Sequence, residues 1–155
     1  MTVDQLRMLM QEAAKDLVGR TDRPHPVTVV IPSEESTKVI SLEGFPDEDN
    51  ARLDALSLIA ARQMVPLNAA CYGFIAEATG PQGEDLLLVA YGARQRGGQL
   101  TAAVIGPQGL GDFAPAEDLE PTAMPFLQPL QHAADTASPD TDGGLAGGGL
   151  PIIAG

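Results

Sequence analysis

Residues 68–106 read NAACYGFIAEATGPQGEDLLLVAYGARQRGGQLTAAVIG, and their punctuation decides the fold. Three apolar runs, residues 70–79, 86–94 and 100–105, are separated by turn-forming residues. Runs of this length bounded by Gly and Pro favour strands over helices. Gly80-Pro81-Gln82-Gly83 suits a type I turn, because Pro presets φ at the second position and Gly is welcome at the fourth. Gly97-Gly98 supplies positive φ for the second reversal. The first tetrapeptide recurs as Gly106-Pro107-Gln108-Gly109 where the third strand stops, which is one turn solution used twice rather than a repeat architecture. The expectation is three successive antiparallel strands.

Alternation along these strands sorts their side chains. Tyr72, Phe74, Ala76 and Ala78 oppose Cys71, Gly73, Ile75 and Glu77; Leu87, Val89, Tyr91 and Ala93 oppose Leu86, Leu88, Ala90 and Gly92. Both faces are largely apolar, so both need cover. Small residues such as Gly73, Ala76, Ala90 and Gly92 let a helix or a second subunit approach closely. The favoured reading is a sheet covered by the chain's own helices; the other is a face shared with a partner.

Upstream, Thr2-Val3-Asp4-Gln5 fits a capping box, and Leu6, Met10, Ala13 and Leu17 recur at helical spacing until Gly19, a natural stop. Met8 falls off the stripe. A linker follows in which His25 sits between Pro24 and Pro26, a solvent position for most histidines. Residues 27–31 are β-branched and read as a strand. Residues 37–42 alternate and read as its partner, partly exposed and fit for an edge. Pro46-Asp47-Glu48-Asp49-Asn50 opens a second helix, its acids suited to the positive end of the helix dipole. Leu53, Leu56, Ala60 and Met64 make the buried stripe of that helix, while Leu58 lies toward the other side as a contact residue. Pro66 ends it.

The fold class expected is α+β: a five-stranded, mainly antiparallel sheet with two main helices in the order α-β-β-α-β-β-β, followed by an irregular acidic arm rich in Pro and Gly. This order resembles the roadblock and profilin-like folds, in which helices sandwich a five-stranded antiparallel sheet. The resemblance implies a non-enzymatic interaction module that dimerises through a helix or an edge strand.

Composition marks the end of the core. All nine basic residues lie at or before Arg96, and seven acids with no Lys or Arg follow from Gly97. The chain divides into a core domain, 1–106, and a C-terminal arm, 107–155, whose residues 136–155 need a partner to order them. Within the arm, residues 115–119 suit one helical turn. Residues 125–134 suit a short helix from Pro129 or an extended docking arm anchored by Phe126, Leu127 and Leu130. Gly143, Gly144 and Gly147, Gly148, Gly149 then form a leash tipped by Leu150, Ile152 and Ile153, the pattern of a peptide that seats in a groove or on a sheet edge of another chain.

The formal net charge of −12 makes nucleic-acid backbones and anionic membranes poor partners. One cysteine excludes an internal disulfide, and neither a signal-peptide run nor a bilayer-length apolar stretch is present. A cytoplasmic setting, or a place in an assembly or virion, is expected. Clustered metal ligands, a P-loop and a dinucleotide fingerprint are all missing, so no cofactor or metal is expected. Cys71 or Glu77 would carry catalysis in the least favoured reading, an enzyme. A small-molecule sensor, with Tyr72, Phe74 and Tyr91 lining a pocket beside the sheet, ranks second. The first reading is a non-enzymatic interaction or structural subunit. It self-associates or joins an assembly through Leu58, Phe126, Leu127, Leu130, Leu150, Ile152 and Ile153, its arm contacting a neighbour.

Overall fold

Alternating apolar strands and two amphipathic helices assemble, in a computed structural model that describes residues 1–33, 36–120 and 122–138, into an α+β fold. Three helices, α1 (Val3–Arg20), α2 (Asp49–Ile59) and α3 (Gln128–Asp135), accompany five long strands: β1 (Val27–Pro32), β2 (Thr37–Leu42), β3 (Cys71–Thr79), β4 (Asp85–Ala93) and β5 (Gly97–Gly106). Two short strands, β6 (Gly109–Leu110) and β7 (Glu117–Asp118), add to them. The order across the sheet is β2-β1-β3-β4-β5-β6, with β7 also on β5, and the pairings are antiparallel.

Among the described residues the sheet therefore has seven strands rather than five, and a short third helix, α3, joins the two main ones where a helix from Pro129 or an extended arm is expected. Residues 115–119 do not make a helical turn, because Glu117 and Asp118 pair with Leu100 and Gln99 of β5. The repeated Gly-Pro-Gln-Gly turn reverses the chain both times. The Gly83 N–H donates to the Gly80 carbonyl at 3.0 Å, and Gly106 pairs with Gly109 across the second turn. At the β4–β5 turn Gly97 has positive φ as expected, but Gln95 (φ 59°) rather than Gly98 takes the other left-handed place.

The register confirms the two faces. On one, α1 buries Leu6, Met10, Ala14 and Leu17 against Val30, Ile75, Val89 and Tyr91. Ala14, not Ala13, completes the buried stripe, and the helix runs through Gly19 to Arg20. Its capping box forms: Gln5 N–H donates to Thr2 Oγ1 at 3.1 Å, and Thr2 N–H to Gln5 Oε1 at 2.8 Å. Gly73 leaves room for Met10 here, since a Cβ would fall 2.1 Å from Met10 Sδ and the thioether would have to shift.

On the other face lie α2, the π-helical turn Ala60–Met64 that continues it, a 3₁₀ turn (Pro125–Leu127) and α3. Their Leu56, Met64, Phe126, Leu127 and Leu130 are buried with Val29, Ile31, Tyr72 and Phe74. Phe45, Phe74 and Phe126 cluster with ring centroids 5.6–6.2 Å apart, and the Arg52 guanidinium sits over Phe45 and Phe126. Leu53, expected inside, is exposed.

Phe126, Leu127 and Leu130 are thus corrected from partner contacts to core residues, at 7%, 3% and 0% exposure. Removing the Phe126 ring should act like a core deletion. Phe126→Ala should lower unfolding free energy by about 3 to 5 kcal/mol, read from urea denaturation. A change within experimental error would mean that the segment only rests on the fold.

Candidate functional site

One end of the sheet gathers the start of α1, the end of β1, the start of β3 and the end of β4. A cleft of about 1080 Å³ opens between them, its walls including Val3, Leu67, Asn68, Cys71, Arg94 and Arg96. A smaller recess of about 250 Å³ adjoins it and shares Val3, Ala93 and Arg96. Asn68 takes a left-handed conformation (φ 51°). Its Oδ1 accepts from the Ser138 N–H at 2.7 Å, and its Nδ2 lies 3.5 Å from the Ser138 carbonyl. The last described residue of the C-terminal segment is therefore tied to the cleft's rim.

A hydrogen-bond chain seats α3 near this end. Tyr72 Oη donates to Gln131 Oε1 at 2.9 Å, and Gln131 Nε2 donates to the Ala93 carbonyl at 3.1 Å and to Asp135 Oδ1 at 2.8 Å. Asp135 Oδ1 also accepts from the Gln95 N–H at 2.7 Å. Tyr72 crosses Gly92 and Gly98: a Cβ on Gly92 would lie 2.5 Å from the phenol oxygen. Burial pushes the Tyr72 phenol well above its ordinary pKa, and nearby Asp135 adds to the shift.

The opposite end of β3 carries the charged cluster. Arg23 Nη2 lies 2.7 Å from Glu77 Oε1, and Arg23 Nη1 lies 2.8 Å from Asp85 Oδ2. The His25 N–H donates to Glu77 Oε2. These bonds draw the linker onto the sheet and bury His25 to 6% exposure, against the solvent position expected from its two prolines. Thr21 Oγ1 donates to the Leu17 carbonyl at 2.6 Å, so His25 Nδ1, 2.7 Å from that hydroxyl, is the donor of the pair. His25 Nε2 is buried without a hydrogen-bond partner among the described residues.

The sheet separates the three rings proposed to share a pocket. Tyr91 pairs with Gly73, and Tyr72 with Gly92, so Tyr91 points toward α1 while Tyr72 and Phe74 point toward α2 and α3. All three are buried, at 1–2% exposure. Leu58 is exposed at 49%. Leu150, Ile152 and Ile153 lie outside the described residues.

The surroundings of Cys71 and Glu77 shift both groups in opposite directions. Burial pushes the Cys71 thiol up, away from the thiolate a nucleophile needs. His132 stands exposed on α3, on the face opposite Cys71's, and so forms no dyad with it. Burial raises the Glu77 pKa, but the bonds from Arg23 and the His25 N–H outweigh it and hold the carboxyl below its usual range. Such a carboxylate is poorly matched to proton transfer near neutrality. Among the described residues no three His, Cys, Asp or Glu side chains cluster to hold a metal, and no helix is long and apolar enough to cross a membrane.

Asn68, Arg23 and Gln131 were missed by sequence reasoning. An Asn between a helix-ending Pro and a strand is a signal for a left-handed turn, but Arg23 and Gln131 find partners 54 and 59 residues away, beyond any local pattern. Comparison with protein-family models, curated proteins and solved structures finds no match to this chain.

The charged cluster predicts an acid response. Glu77 and Asp85 both have lowered pKa values in the folded state, with Arg23 responsible for the Asp85 shift. Their contribution is present above the ordinary carboxylate pKa and is lost as pH falls through the folded-state values. Chemical denaturation across acidic pH should show a shallower loss of stability in Glu77→Gln than in the parent. Parallel profiles would dismiss the cluster as a stabiliser.

Proposed function

We propose that this chain is a non-enzymatic interaction or structural subunit that self-associates or joins a larger assembly through the free edge of β2. The observation that carries this reading is the unequal treatment of the two sheet edges. On the β5 side, β6 and β7 pair with the strand. The Thr101 hydroxyl donates to the Ala114 carbonyl, the Ala114 N–H to the Ala102 carbonyl at 2.8 Å, and the Leu119 N–H to the Gly98 carbonyl at 2.9 Å. That edge is sealed by the chain itself.

Strand β2 pairs only with β1 among the described residues, so along its outer side the N–H and C=O groups of alternate residues meet no strand of the described chain. Edge strands are usually blunted by charge, Pro or cover, since unpaired N–H and C=O groups template another strand. Here Val39 is 51% exposed, its neighbours Thr37 and Ser41 are small, and the single charge, Lys38, hydrogen-bonds to Gln63 at 3.1 Å. That bond also places the π turn beside the open edge, with exposed Val65 following directly after it. Pairing of β2 with its symmetry mate would join two sheets by an isologous antiparallel contact. The raised Cys71 pKa and the lowered Glu77 pKa favour the same reading over an enzyme that uses either group.

Absolute mass by light scattering after size exclusion tests it. The parent should run as a dimer or larger. Val39→Lys with Ser41→Lys should run as a monomer with unchanged thermal stability, since exposed substitutions of this kind cost within about 0.5 kcal/mol. A monomeric parent at all concentrations would remove self-association. An oligomer untouched by the double variant would remove the β2 edge.

A further inference from the structure

We propose that the cleft at the sheet end is the docking site for the chain's own residues 139–155. This goes beyond the edge-strand reading and uses a different surface.

Geometry supplies the first argument. The Asn68 side chain engages both the N–H and the carbonyl of Ser138, as a neighbouring strand would. Residue 139 therefore sets out from the wall of the cleft itself, since Asn68 lines it. Leu150 lies twelve positions beyond Ser138, enough to span about 40 Å when extended. Five glycines fall within that stretch, at 143, 144, 147, 148 and 149, and permit the reversal that brings the far end back.

Chemical complementarity supplies the second. The segment carries two acids near its root, Asp140 and Asp142, and an apolar end, Leu150, Pro151, Ile152 and Ile153. The cleft presents both matching surfaces: Arg94 and Arg96, the last two cations in a chain of net charge −12, and an apolar wall that includes Val3, Leu67, Ala70 and Cys71. Asp140 and Asp142 lie two and four residues beyond the tether, within reach of the arginine side of the cleft.

Tethering supplies the third. A glycine-rich tether of this length holds its end at a millimolar effective concentration, so even a weak apolar contact is occupied within one molecule. Closing a loop of about 12 residues instead of about 6 costs only about 0.6 kcal/mol more.

The test places a photoreactive residue, Ile152→p-benzoylphenylalanine, in the full-length chain. The β2 edge carries Val39→Lys and Ser41→Lys, so that the outcome does not depend on self-association. After irradiation, cross-linked peptides are mapped by mass spectrometry. The expected result is monomeric cross-links to residues 1–5, 67–71 and 93–96, with their yield cut about threefold by Arg96→Glu, the size of effect of a partly exposed ion pair. Cross-links spread over the surface, or none at all, would overturn the proposal by showing the segment undocked. Cross-linked dimers would overturn it in favour of a second copy's cleft.

Discussion

A sheet that is apolar on both faces has to be covered twice, and everything else in this molecule follows from how the second cover is assembled. Helix α1, joined by Leu110 and Phe113 of the segment after β5, covers one face, with Met10 passing over Gly73. The other face needs α2, its π-helical continuation and the C-terminal pair of helical turns together. Phe126 is where these meet. It packs on Phe74 of the sheet and Phe45 of the loop before α2, under the Arg52 guanidinium. Burying Phe126, Leu127 and Leu130 contributes about 2 kcal/mol each, which is comparable with the whole margin by which small domains stay folded. The C-terminal segment through α3 is therefore structural, although its composition sets it apart from the rest of the chain.

Polar groups then fix where that cover sits. Apolar contacts are not directional, and a helix of eight residues can slide on a flat sheet. The Tyr72–Gln131–Asp135–Gln95 chain removes that freedom by linking β3, α3 and the β4–β5 turn. It requires Gly92 beneath the tyrosine ring and a left-handed Gln95 that offers its N–H to Asp135. The Asn68–Ser138 pair repeats the device at the end of the segment, so the chain is delivered to one place on the molecule.

The legible part of this fold is the part governed by local rules. Alternation separates Tyr72 and Phe74 from Gly73 and Ile75, Thr2 and Gln5 announce the start of α1, and Gly80-Pro81-Gln82-Gly83 announces a turn; each depends on neighbours within four residues. The same alternation places Tyr91 on the α1 face, so a pocket shared by Tyr72, Phe74 and Tyr91 could have been rejected once β3 and β4 were placed in register. The sheet's short strands were not legible, because two-residue pairings such as Glu117–Asp118 on β5 have no periodicity to detect. Phe126 was legible as an anchor but not in its destination. An apolar residue after a composition break gives the same signal whether it docks at home or on a neighbour. The burial of His25 was hidden for a related reason, since its cause, Glu77, lies 52 residues away.

The candidate surfaces follow from where the chain places its described residues after β5. Residues 109–119 close the β5 edge, and 122–138 close the α2 face. Neither segment reaches β2, whose outer backbone stays unpaired among the described residues, nor fills the cleft, to whose wall the segment is tied by Asn68. Backbone groups on an open edge recognise another extended strand without regard to sequence, whereas a cleft of mixed arginine and aliphatic lining selects for an acidic and apolar peptide. The two surfaces thus ask for different ligands. On the readings proposed above, the open edge would serve association between copies of this chain, and the cleft would take the segment that begins beside it.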